Sequence, residues 1–450
     1  MPHVPLSPSP SDRTRRAERV EASLTAPGAP FAVVPGERGV PEYAHGPRTL
    51  REFVEATWAH GDAPFLTAGE RTSSYGEFFA AASALAVRLR ERYGLRSGER
   101  AVIAMGNRPE WQVAFWAAQL AGLVAVPLDA RWAESEFAPV LDDCEPAVLL
   151  VDGERLGRVA EWARRAGARV VLFHGSEGAG DGAPGLRIER YEEFPAPDPL
   201  AAPPDVEPRP EDDATILYTS RVPGRPKGAV ATHLAQAASA LNPRYHAAAS
   251  ALARGVIPGQ GPAPETRMAL PFSHPAAFTG FYGAMAVGAA LVLTDEPAGE
   301  PTGASAGEPT GTLTDEPAGA PAARLTDGPG GGELPGGARG AGPFLPGGYG
   351  LAETGGTVLA PFGDGPGADS GGGGRPTPVT EVRIAGPSGE ELPEGEAGEL
   401  WLRGQSLFRG YWRDAAATEA VFGDGGWFRT GDRAVLREGW VSVVGRAAGA

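Results

Sequence analysis

Cysteine is nearly missing from this sequence: Cys144 is the only one in 450 residues. An internal disulfide is therefore excluded, as is any thiolate-based zinc or redox motif, and the composition suits a reducing cytoplasm. Cys144 itself reads as a small helix residue and not as a nucleophile. Positive charge is also in short supply, with 40 Lys+Arg against 56 Asp+Glu, a formal net charge of -16 and a pI near 5.0. Nonspecific binding to nucleic acid or to an anionic membrane needs a basic face, which such a balance does not favour. A small-molecule partner is the better expectation. No apolar run reaches the length of a membrane span. The segment Met1 to Val20 carries Pro, Ser and Arg without a continuous apolar stretch, so it reads as a disordered tail over residues 1–20 and not as a leader.

What is present is length, glycine and proline. A chain of 450 residues exceeds what one hydrophobic core organises, so two or more subdomains are expected. From Pro47 to Phe173 amphipathic helices alternate with short apolar strands, the pattern of a parallel α/β architecture. Leu50, Phe53, Val54 and Trp58 share one helical face. Ser74 and Glu77 make a capping box, followed by Phe78, Ala82, Leu85 and Leu89 at helical spacing. Ala101 to Met105, a helix entered through Pro109 and spanning Trp111 to Leu120, and Leu123 to Pro127 complete a βαβ unit. Ala147 to Val151 and Arg169 to Phe173 extend the sheet.

Most of the 65 glycines fall after residue 250, whereas the 45 prolines run along nearly the whole chain. Leu293 to Gly299 recurs as Leu313 to Gly319, and Gly299 to Gly303 as Gly307 to Gly311. These low-complexity repeats carry almost no large apolar side chains and cannot offset the entropy of ordering, so residues 294–346 read as a disordered insert. Gly363 to Gly374 reads as a second loop. A β-rich pattern follows, with Thr380 to Ile384 and Gly398 to Gly404 as strands.

Four segments carry chemistry. The first, Tyr218-Thr219-Ser220-Arg221-Val222-Pro223-Gly224-Arg225-Pro226-Lys227-Gly228, follows the apolar run Ala214 to Leu217 and precedes a helix-compatible run from Thr232. A small-residue loop closed by a lysine, placed between a strand and a helix, offers backbone N–H groups and an ammonium to a polyphosphate. It lacks the G-x-x-x-x-G-K-[ST] spacing of a Walker loop. Arg221 and Pro223 oppose tight wrapping, one through its Cβ and the other through its missing N–H, although Arg221 adds a cation. The others are Leu270-Pro271-Phe272-Ser273-His274 with Gly280, Gly348-Tyr349-Gly350-Leu351-Ala352-Glu353-Thr354, and Trp427-Phe428-Arg429-Thr430-Gly431-Asp432, the last followed by Gly445-Arg446. Read singly, each has a plain alternative: a core histidine, a Gly-rich turn with one carboxylate, a T-G-D turn, a terminal charge.

In this order the segments resemble the motifs of AMP-forming acyl-CoA synthetases and related adenylate-forming enzymes. Leu24 to Gly28, Asn107 to Trp111 and Val124 to Leu128 resemble the same family. The resemblance implies an α/β fold, the large N-terminal domain of an adenylate-forming enzyme, with Rossmann-like α/β subdomains over residues 21–293 and a β-rich remainder over 347–450. It implies ATP, Mg²⁺ and CoA. Thr219, Ser220, Gly224, Lys227 and Gly228 would hold phosphates, His274 would line the acyl pocket, and Tyr349 would stack on adenine. Glu353 would hold Mg²⁺, and Asp432 with Arg446 would bind the ribose. Ala352 stands where the family has a threonine for the α-phosphate. The family's small C-terminal domain, whose lysine bridges carboxylate and phosphate, has no counterpart here and would have to come from another chain. The implied activity is ligation of a carboxylic, fatty acid to CoA through acyl-AMP, impaired in the isolated chain. A non-catalytic nucleotide- or partner-binding pseudoenzyme and a truncated gene product remain as alternatives.

Overall fold

A computed structural model describes residues 10–36, 39–175, 185–219, 226–258, 265–294, 348–361 and 372–447. The expected disordered insert and most of the second glycine-rich stretch lie outside the described residues, as do Ser220 and Gly224.

The βαβ pattern builds an eight-stranded sheet. Arg100–Ala104 sits inside it with Val124–Pro127 on one side and Val148–Asp152 on the other, all parallel, and Arg169–Phe173 and Arg187–Arg190 continue outward. Beyond Val124–Pro127 comes Asp213–Thr219, parallel to it, and then two antiparallel strands, Lys227–Thr232 and Gly410–Tyr411. A four-stranded sheet pairs Glu265–Met268, Ala290–Leu293, Pro64–Ala68 and Arg71–Ser74. The β-rich remainder forms a seven-stranded antiparallel sheet, in the order Tyr349–Leu351, Gly356–Ala360, Gly373–Pro376, Trp440–Arg446, Phe428–Arg437, Ala397–Gly404 and Thr380–Ala385.

The helix Pro109–Leu120 is buried on every face from Trp111 onward, because it packs against both the eight-stranded and the four-stranded sheet. Its Trp111 and Trp116 stack on Phe272 and Phe53, and its Phe115 meets Phe278 edge to face, in one aromatic core. The capping box of Ser74 and Glu77 is formed as expected, each side chain accepting the other's backbone N–H. Trp58 departs from its expected place on a buried helical face. The helix ends at Thr57, and Trp58 opens a short 3₁₀ turn, half-exposed and stacked on Phe79.

Two further expectations are corrected. Pro10–Thr25 is a helix and not part of a floppy tail: Ala17 and Leu24 recur on one face and bury against Tyr245 and Trp440. Its short apolar stripe packs on the helix His233–Ala253, a partner distant in sequence that composition does not reveal. The end of the second glycine-rich stretch is a strand. Gly373 and Gly374 pair with Ser442 and Val441 at φ of 143° and 129°, and a Cβ there would run into the carbonyls of Val441 and Ala360. Glycine is demanded by backbone proximity at this point and does not mark a loop.

Candidate functional site

Asp432 and Arg446 come together through strand register. Phe428–Arg437 and Trp440–Arg446 are an antiparallel hairpin in which Asp432 and Arg446 are direct partners. The Arg446 guanidinium donates to Asp432 Oδ1 at 2.9 Å. Thr430 and Gly431 aim the carboxylate: Thr430 Oγ1 donates to the Leu400 carbonyl and accepts the Asp432 N–H, while the Gly431 N–H goes to Glu399. The ladder slips two residues opposite, between Glu399 and Trp401, and such an irregularity re-aims side chains. Tyr349, from the strand Tyr349–Leu351, donates its hydroxyl to Asp432 Oδ2 at 2.6 Å. Asp432 is buried, with both oxygens engaged.

Glu353 lies on the turn Ala352–Thr354 and is 5% exposed. Its Oε1 accepts from the Tyr411 hydroxyl at 2.9 Å, and its Oε2 is buried without a hydrogen-bond partner among the described residues. A buried, unpaired carboxylate oxygen is costly and suits a hard cation. Among the described residues no three His, Cys, Asp or Glu side chains cluster as a protein-only metal site would. Magnesium is commonly bound through one or two carboxylates plus substrate phosphates, so the donor set fits such an ion. Thr354 does not compensate for Ala352. Its hydroxyl accepts the Leu351 N–H at 2.8 Å and reaches the Gly356 carbonyl at 2.7 Å, so it shapes the turn.

The lysine loop has different surroundings from those expected. Thr219 ends one strand and Lys227 begins the next, paired across an antiparallel hairpin, so the loop joins strand to strand. The helix His233–Ala253 starts only after Thr232 caps it. Lys227 Nζ stands 5.3 Å from the centre of the Tyr411 ring. Gly228 answers to packing: a Cβ would lie 2.6 Å from Ile216 Cγ2, and its carbonyl accepts the Trp412 N–H at 2.7 Å.

His274 is exposed and caps the helix Pro275–Ala286, its Nδ1 accepting the Ala276 N–H at 3.1 Å. That local role accounts for a histidine before Pro275. Surface cavities of about 540 Å³ beside Phe194 and about 490 Å³ beside Trp440 share no lining residue with these motifs.

Tyr411 stands outside the four segments read as chemistry-bearing from the sequence. The composition carries a further signal. Lys227 is the single lysine of the chain, every other member of the 40 Lys+Arg being arginine.

The family model for AMP-binding enzymes matches residues 53–305 and 336–412. The chain is 29% identical over 421 residues to a feruloyl-CoA synthase from Amycolatopsis, across 85% of this chain and 76% of that protein. It is 28% identical to the long-chain-fatty-acid–CoA ligase FadD15 of Mycobacterium bovis, across 78% of this chain and 66% of the other. Its fold matches apo MatB from Rhodopseudomonas palustris with a TM-score of 0.64 at 22% identity, covering 89% of this chain and 79% of that one. It also matches the o-succinylbenzoate CoA synthetase MenE of Bacillus subtilis, solved with an acyl-adenylate, with a TM-score of 0.61 at 20% identity, covering 88% and 98%.

Proposed function

Because the chain belongs to the AMP-binding enzyme family, we propose that it binds ATP-Mg²⁺ at this site and activates a hydrophobic carboxylic acid for transfer to CoA. The observation that carries the reading is the convergence of Tyr349 and Arg446 on Asp432. A buried carboxylate flanked by an aromatic ring and a guanidinium offers acceptors for a vicinal diol and a face for a purine. Asp432 and Arg446 take the ribose, Tyr349 the adenine, and Lys227, with the loop from Thr219 through Ser220 and Gly224 to Gly228, the phosphates. Glu353 would hold the Mg²⁺, which when bound neutralises charge on the phosphate oxygens.

The chemistry runs in two displacements. A carboxylate oxygen attacks the α-phosphorus and pyrophosphate leaves; the CoA thiol then attacks the acyl carbon, loses its proton and expels AMP. This chain's contribution is to orient the nucleotide and supply cationic charge where negative charge builds. The fatty or aromatic character of the acid is supported by the relatives named above. A lysine domain supplied in trans belongs to the same proposal. Nucleotide binding with little or no turnover is the second reading, favoured by Ala352 beside Glu353 and by the commitment of the Thr354 hydroxyl to backbone.

Calorimetric titration of the purified chain with ATP-Mg²⁺ and with a nonhydrolysable acyl-AMP analogue tests the site, with Asp432→Ala as the control. Binding that the variant loses is expected, and a folded wild-type chain that binds neither ligand overturns the proposal. AMP release with palmitate or ferulate and CoA then separates turnover from binding alone.

A further inference from the structure

The short strand Gly410–Tyr411 is added to the edge of the eight-stranded sheet, with Tyr411 opposite Ala229. Lys227 and Ala229 lie two residues apart on one strand and so share a face, which makes Tyr411 the diagonal neighbour of Lys227. At that separation aromatic and long side chains still meet. The Phe408 N–H donates to the Glu353 carbonyl at 2.8 Å, tying the turn that carries Glu353 to the same segment. Tyr411 therefore faces both groups at once. Its ring lies 5.3 Å from the Lys227 ammonium, and its hydroxyl is 2.9 Å from Glu353 Oε1.

We propose that Tyr411 is a positioning residue of the nucleotide site, which docks the Lys227 ammonium on its ring and holds Glu353 by its hydroxyl so that Oε2 faces the cation. Tyr411 has this role only if the site takes ATP-Mg²⁺, as proposed above. A lysine is a compact charge on a flexible stem, and a carboxylate can rotate; each loses less freedom on binding phosphate or metal if something already fixes it. The ring fixes the first through its quadrupole. The hydroxyl fixes the second by occupying one oxygen and leaving the other, which is buried and without a partner among the described residues. Outer partners of metal-bound groups typically govern metal affinity in this way.

The single lysine makes the test direct. Reductive ¹³C-methylation labels only Lys227 and the N-terminal amine, and Lys227→Arg identifies the signal. In the wild type and in Tyr411→Phe the Lys227 methyl resonance is expected to show an upfield ring-current shift, which Tyr411→Leu abolishes. On unlabelled protein, Tyr411→Phe is expected to weaken ATP-Mg²⁺ binding about tenfold, to leave ATP binding in EDTA unchanged, and to have no further effect in a Glu353→Gln background. Unfolding curves establish that each variant is folded, and Tyr411→Phe, which keeps the ring, carries the test if Tyr411→Leu does not fold. The proposal is overturned if Tyr411→Phe binds ATP-Mg²⁺ like the wild type or loses affinity equally in EDTA, or if Tyr411→Leu leaves the methyl shift in place. A wild type that binds no ATP overturns the nucleotide reading and this one with it, whereas a wild type that binds while Tyr411→Phe is indifferent overturns only the tyrosine's role.

Discussion

Glu353 and Thr354 are neighbours with opposite fates, and the difference lies in which atoms remain unengaged. Thr354 is fully buried, and its hydroxyl is used up by Leu351 and Gly356, whereas Glu353 keeps one oxygen without a partner among the described residues. Thr354→Val should therefore cost stability, about 1–3 kcal/mol for the backbone groups left unsatisfied, as measured by urea unfolding. Asp432→Asn tests a different property, since it keeps the shape and removes the charge that Arg446 faces. It should lower affinity for AMP at least about tenfold, because a charge-assisted hydrogen bond is roughly twice as strong as a neutral one. Titration calorimetry reads that loss directly. These residue-scale roles were partly legible, since both groups stood in recognisable motifs. The hydroxyl's commitment was not, because it depends on the carbonyl directions of the folded turn.

At the scale of elements, the strand Gly373–Pro376 and the helix His233–Ala253 carry the more instructive constraints. Gly374→Ala should destabilise by more than about 1 kcal/mol, since alanine is strained at that φ and its Cβ meets the Ala360 carbonyl. A thermal unfolding series checks it. The helix buries two histidines. Burial lowers the His233 pKa from its ordinary 6.5 to about 4, with Asp212 and Asp213 opposing, and its Nδ1 accepts the Leu50 N–H. Burial lowers that of His246 to about 3, and neither of its ring nitrogens has a hydrogen-bond partner among the described residues. Both histidines bind protons more weakly when folded, so below about pH 6.5 the unfolded chain takes up protons that the native state refuses. The stability involved is full above that pH and declines as pH falls towards 4 for His233 and 3 for His246. His246→Leu should flatten part of this slope and be neutral or stabilising at pH 7, which urea unfolding from pH 4 to 8 measures.

For the molecule as a whole, the site spans two sheets. Lys227 and Tyr411 belong to the eight-stranded one, and Tyr349, Asp432 and Arg446 to the seven-stranded one. A nucleotide bound to both should stabilise both. At one hundred times its dissociation constant it adds about 2.7 kcal/mol, so ATP-Mg²⁺ should raise the melting temperature by a few degrees and Asp432→Ala should abolish the shift. Among the described residues no helix is long and apolar enough to cross a membrane.

The sequence by itself determined the alternation of helix and strand up to Phe173, the capping box at Ser74 and the identity of the motif residues. Each of these is written in side chains a few positions apart, where propensity and period act directly. Tertiary structure alone decided that the lysine loop is a hairpin. The run Gly228 to Thr232 is short and alanine-rich, and only pairing with Asp213–Thr219 made it a strand. It alone brought Tyr349 to Asp432 across 83 positions and Tyr411 to Glu353 across 58. Contacts of that range are set by sheet register and edge addition, which no local pattern of side chains encodes.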